Sequence, residues 1–161
     1  MIKQFVTQKA CLECPGCCRF SQSDSVWSPC LLKEEIETLA SKGVPPALIT
    51  LTQRIRLLPF KDEETFFCSL FNPKGNRCQI YSFRPFECQL YPFLINRRGA
   101  ALFLAVDPAC PLIEKKLTTQ AFKNYVRYLT DFFKDPRMRR ILKGNLPFFA
   151  AYTGVRDLCR I

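Results

Sequence analysis

The sequence predicts an α+β fold, a small single domain of short hairpins and loops with helices at its C-terminal end. Three observations carry that prediction. Apolar residues recur at helical period after residue 28 and again after 111, short apolar runs divided by turn residues replace them between 65 and 106, and cysteines cluster at the turns. At 161 residues, with 48% hydrophobic and 24% charged residues, the chain suits one soluble globular unit.

Taken in order, residues 1 to 30 read as loop held by its cysteines. Ser28 and Pro29 then resemble an N-cap and first helical position, and Leu32, Ile36, Leu39 and Ala40 form one apolar face before Lys42 and Gly43 end it. Pro45 and Pro46 open a second predicted helix through Leu48, Leu51 and Ile55 to Leu58, which Pro59 stops. From Thr65 the run TFFCSLF, the turn NPKGN and the run RCQIY predict a hairpin. A second hairpin joins FLIN to ALFLAV through Arg97, Arg98 and Gly99, where glycine suits a positive φ. Pro111 begins a long helix to about Lys134, and a short one runs from Pro136 to Lys143 before an aromatic tail at Phe148, Phe149 and Tyr152. Residues 1–112 are expected to form a cysteine-cluster region, and 113–161 a helical extension packed on the same domain.

The N-terminal residues lack a signal-peptide core, and no window approaches a membrane span, so a cytoplasmic location is expected. Thiols stay reduced there, which turns ten cysteines away from a disulfide framework and toward metal or redox chemistry. The net charge of +10 is uneven, with 11 basic against 4 acidic residues after position 111. Bound thiolates would offset part of that excess. The basic residues Lys134, Arg137, Arg139, Arg140 and Lys143 are read as a solvated helix face, and nucleic acid is disfavoured as a partner.

The chain has no histidine, which removes the usual zinc-hydrolase ligands and the usual base for a Ser or Cys nucleophile. Its six glycines form no phosphate-binding loop. The stretch CLECPGCC instead places Cys11, Cys14, Cys17 and Cys18 within eight positions. The spacing C-x2-C-x2-C is that of the first three ligands in ferredoxin-type loops, although Cys18 follows at once where those loops continue differently. Adjacent Cys17 and Cys18 point to opposite faces of an extended backbone, so one of them is spare for a given ion. Pro15 and Gly16 argue against a regular helix there. Cys68, Cys78, Cys88 and Cys110 sit at turns or element ends and complete a set large enough for one iron-sulfur cluster or two four-thiolate zinc sites. Simple burial in a core explains Cys68, Cys88 or Cys110 equally well when each is taken alone. A thiol-disulfide role for Cys14-Pro15-Gly16-Cys17 is disfavoured, because the thirteen preceding residues, Cys11 among them, offer little room for the βαβ unit such motifs follow.

These residues resemble a known family. C11-x2-C14-x2-C17-C18, Cys68 with Leu70, and then C78-x-I-Y-x-x-R-P-x-x-C88-x-x-Y-P are similar to the YkgJ-type cysteine-cluster proteins, a zinc- or iron-chelating domain. That domain is itself similar to the cysteine-rich part of flagellin lysine N-methylase. The resemblance spans roughly residues 8 to 112, with Cys110-Pro111 as the late Cys-Pro. It implies a fold organised around a sulfur-ligated metal centre, with a 4Fe-4S iron-sulfur cluster preferred over zinc. The implied ligands are Cys11, Cys14, Cys17, Cys18, Cys68, Cys78, Cys88 and Cys110. Arg84 is expected to donate hydrogen bonds to sulfur, Tyr81 to stand beside the cofactor, and Phe83, Phe86, Tyr91 and Phe93 to help wall the site. Gln89 departs from the family pattern, and Cys30 and Cys159 fall outside it. Two other functions stay open: an enzyme or enzyme accessory of methylase-like, protein-modifying type, and a basic zinc module that binds nucleic acid. A protein partner is left open, and a membrane is not expected.

Overall fold

Unpaired apolar runs on each side of residue 90 close on themselves, giving two compact units, Met1–Gln89 and Leu90–Ile161. The computed structural model describes residues 2–14, 16–61 and 64–161; Pro15, invoked above against a helix, lies outside them. Short helices and short antiparallel sheets in both units make the fold α+β.

The first unit begins with structure where loop is expected. Thr7 caps α1 (Gln8–Glu13), its hydroxyl accepting from the Ala10 amide at 3.4 Å. A 3-10 turn, Gly16–Cys18, leads into β1 (Arg19–Phe20). Residues 26–28 then complete a turn, and Cys30 bridges Arg54, so no helix starts at Ser28 and Pro29. The buried Ser28 donates its hydroxyl to the Ile55 carbonyl, and Leu31 and Ile55 donate amides to the Gln53 and Pro29 carbonyls at 2.7 and 2.9 Å. Only then does α2 (Lys33–Ser41) start, with the Glu35 carboxylate reaching back to the Leu32 amide at 2.9 Å. It ends before Gly43, whose φ of +85° supplies the left-handed turn.

The helix expected from Pro45 to Leu58 does not form. One 3-10 turn, Pro46–Leu48, gives way to a bridge between Ile49 and Ile55 and then to β2 (Leu57–Pro59). The Thr50 hydroxyl takes the Arg54 amide at 3.1 Å and Gln53 adopts a φ of 61°, which turns the chain and leaves Leu51 in solvent. Ile55 and Leu57, two residues apart, are the ones that bury. The strand period therefore overrides the helical one.

The first predicted hairpin is shorter than its apolar runs. It joins β4 (Phe71–Asn72) to β5 (Arg77–Cys78), in register Phe71 with Cys78, and the Asn72 side chain caps the turn by accepting from the Lys74 and Gly75 amides. The upstream run becomes β3 (Phe66–Cys68), the centre of a sheet ordered β1-β3-β2. Phe20, Leu31, Leu39, Ile55, Leu57, Cys68 and Phe71 form the core under it. A turn, Tyr81–Phe83, and the short helix α3 (Phe86–Leu90) follow.

In the second unit, β6 (Phe93–Arg98) and β7 (Ala101–Val106) form the hairpin the sequence predicts, with Gly99 at φ +59°. A strand that periodicity does not announce, β8 (Arg156–Arg160), adds to β7 with a bulge at Leu104/Ala105. The fully buried Asn96 ties this sheet together. It donates to Asp157 at 2.7 Å and accepts from the Tyr152 amide at 2.9 Å. The long helix α4 starts later than Pro111, at Gln120, and ends at Lys134, because the Thr119 hydroxyl caps the Phe122 amide and residues 111–119 form turns. Its buried face is Phe122, Tyr125, Leu129 and Phe133. Helix α5 (Pro136–Lys143) has the predicted bounds, with Asp135 capping it.

Candidate metal centre

Local geometry gathers the cysteines before any long-range packing does. Helix α1 places Cys11 one turn before its C-cap, Cys14, whose amide donates to the Cys11 carbonyl at 3.3 Å. The 3-10 turn then separates the directions of Cys17 and Cys18 by about a third of a revolution. Cys18 packs against the hydrophobic core and shares a thiol hydrogen bond with Cys17. Cys17 is the thiol most widely coupled to the others. Its charge bears on Cys11, Cys68, Cys78 and Cys88, which come from α1, β3, β5 and α3 respectively.

The electrostatics follow from this crowding. Every shifted thiol of the group moves upward, because a thiolate here loses water and meets other thiolates. For Cys17 the hydrogen bond with Cys18 acts first and burial second. Burial leads for Cys11, Cys78 and Cys88, and it pushes Cys68 up to about 12. Neighbouring thiols add to each of these shifts.

Arg84 opposes them. Its positive charge lowers Cys11, Cys17 and Cys78, so the guanidinium stands among the thiols. Only 9% of the residue is exposed. The guanidinium lies 3.9 Å over the Tyr81 ring, and Nη2 donates to Gln4 Oε1 at 2.5 Å. Its Nε and Nη1 hydrogens are buried without a partner among the described residues. Tyr81 in turn shares a hydrogen bond with the Cys11 thiol. A buried cation with two unspent donors is costly, and anionic sulfur is an acceptor that would satisfy both.

The group is sulfur throughout, with a fixed cation and spare N–H groups beside it, and this fits a thiolate-ligated metal or cluster. Among the described residues no three Cys, Asp or Glu side chains already stand in ligating geometry. The thiols share a neighbourhood and not a closed cage.

The sequence model of the family CxxCxxCC, "Putative zinc- or iron-chelating domain", matches residues 10–121. The chain belongs to this family. Its CxxCxxCC block is Cys11 to Cys18, and the matched region also takes in Cys68, Cys78, Cys88 and Cys110. No curated protein and no solved structure matches the chain.

Cys110 lies in the second unit, buried at the turn that follows β7. Tyr91 and Phe93 also belong there, Tyr91 donating to Asp107 at 2.8 Å and Phe93 stacking on Phe122 and Tyr125. Cys30 is fully buried, and burial first, then the Glu87 charge, raises its thiol to about 11. Cys159 meets the Thr130 hydroxyl at 3.2 Å.

Three residues near the thiols escaped sequence reasoning. Gln4 holds Arg84 from eighty residues away, and no local signal marks it. Glu35 accepts from the Leu32 amide at 2.9 Å and from the Phe86 amide at 2.5 Å, while Glu87 accepts from the Cys30 amide. A glutamate at the third position of a helix is a recognisable cap for its own helix, but its second bond to a distant one is not.

Proposed function

We propose that the first unit holds a sulfur-ligated metal centre, an iron-sulfur cluster in preference to zinc. The observation that carries this reading is that the charge of Cys17 bears on Cys11, Cys68, Cys78 and Cys88, while a buried arginine with two unspent donor nitrogens bears on Cys11, Cys17 and Cys78. Cys14 adjoins Cys11 and Cys18 adjoins Cys17, so both are candidate ligands. Cys110, in the second unit, is named a ligand by the family's late Cys-Pro alone and is not counted in this centre. Family membership supports chelation of zinc or iron.

The preference for a cluster rests on two points. The spacing of Cys11, Cys14 and Cys17 suits a loop wrapped around a cluster. A cluster also brings its own sulfides as further acceptors for Arg84 and leaves fewer thiols to supply. Bound there, it would supply one-electron chemistry, whereas zinc would act as a structural clamp. Tyr81 and Arg84 orient and neutralise the sulfurs in either case.

Anaerobic purification followed by iron, zinc and acid-labile sulfide analysis tests the reading. Iron and sulfide in equal amounts with broad visible absorption are expected. A colourless protein with stoichiometric zinc would replace the cluster with zinc, and protein that takes up neither metal would overturn the proposal.

A further inference from the structure

Cys88 rides on α3, a helix of five residues. So short a helix has little stability of its own, since isolated helices need about 12–15 residues to persist even marginally. Its orientation must be imposed, and it matters, because each residue of rotation about the axis swings Cys88 by about 100°.

Two carboxylates impose it. Glu35 on α2 sends Oε1 to the Phe86 amide at 2.5 Å and Oε2 to the Leu32 amide at 2.9 Å, so one side chain caps the first turn of both helices. Glu87 on α3 reaches the opposite way, to the Cys30 amide just ahead of α2. The two struts thus run between the same pair of segments in opposite directions, which stops α3 from both sliding and turning. Gln89 secures the other side, its amide donating to the Arg84 carbonyl at 2.8 Å. Charge-assisted hydrogen bonds of this kind are the strong ones.

We propose that Glu35 and Glu87 are positioning residues of the metal centre, holding α3 so that the Cys88 sulfur faces the other thiols; this rests on the thiol-centre reading above. Neither residue belongs to the cysteine motif, and both act through hydrogen bonds to backbone amides.

The full-length protein loaded with cobalt(II) alone provides the test, because sulfur-to-cobalt charge-transfer absorption per cobalt scales with the number of thiolate ligands. Cys88→Ala removes one ligand and should lower the band by about one quarter for a four-thiolate site. Glu35→Ala and Glu87→Ala should each lower it similarly and weaken cobalt binding about 10- to 100-fold, the usual cost of losing an outer partner. Each should lose nothing further when combined with Cys88→Ala, since the residues act through the same sulfur. If an alanine variant does not fold by far-ultraviolet circular dichroism, Glu87→Gln carries the test. Its amide oxygen still accepts from Cys30, and the band should be recovered in large part. Unchanged bands in the glutamate variants, or deficits that add to that of Cys88→Ala, would overturn this inference alone. A wild-type protein that shows no sulfur-to-cobalt band would overturn this inference, and one that in addition takes up neither iron nor zinc would overturn the thiol-centre reading with it.

Discussion

Replacing Arg84 with methionine separates what the arginine does for the fold from what it does for the metal. In the metal-free protein the change removes two buried donor nitrogens without partners, each a burden of about 1–3 kcal/mol. It also removes the stack on Tyr81, worth about 2 kcal/mol when desolvated, and a charged hydrogen bond to Gln4 worth about 1.5–3 kcal/mol. Gains and losses nearly cancel, so urea denaturation of the metal-free variant should give a stability within about 2 kcal/mol of wild type. The loaded protein has no such cancellation, because the spare donors are then engaged by sulfur. Metal affinity, measured by competition with a chromophoric chelator, should fall about 10- to 100-fold, or about 1.4–2.7 kcal/mol. Arg84→Lys keeps the charge but not the forked donors and should lie between. Equal affinity in wild type and Arg84→Met would refute the argument. So would a loss of stability in the metal-free variant as large as the loss in the loaded one.

Other expectations follow from the same geometry. The metal-free protein should lose stability as pH rises. The Cys68 and Cys30 thiols, raised from 9.0 to about 12 and about 11, favour the folded state fully below pH 9.0 and cease to as pH climbs through those raised values. Denaturation curves collected through that window test this, and flat or rising stability would contradict it. Cys30→Ala should leave metal stoichiometry unchanged, while Cys17→Ala, at the most widely coupled thiol, should abolish it or cut it sharply; metal analysis of the two variants side by side decides. Asn96→Ala removes a fully buried donor to Asp157 and the side-chain acceptor of the Tyr152 amide, and should cost about 1–3 kcal/mol in urea denaturation. Gly99→Ala, at φ +59°, should cost about 1–2 kcal/mol by the same assay.

Local chemistry made parts of the fold readable from the sequence. A glycine with positive φ between two apolar runs specifies the β6–β7 hairpin wherever it lies, and Asp135-Pro136 followed by a basic amphipathic run specifies α5. Residues 45 to 58 misled because Leu48, Leu51 and Ile55 satisfy helical spacing on paper. Pairing of Ile49 with Ile55 offered burial by the other period, and it prevailed. Strand β8 was hidden for a related reason. A strand such as RDLCR, charged at three of its five positions, is stable only beside a partner, and β7 supplies it.

By itself the sequence determined the donor set: ten thiols, no imidazole, a family-defining CxxCxxCC block, and an arginine and tyrosine spaced between two later cysteines. Those are properties of residue type and spacing, which the chain carries before it folds. Only the tertiary structure decided that the charge of Cys17 bears on four other thiols while Cys18 packs on the core, that Arg84 keeps two donor nitrogens unspent, and that two glutamates link α3 to the start of α2. Each of these depends on which surfaces become buried together. Burial is set by contacts among residues up to eighty positions apart, and no local pattern encodes it.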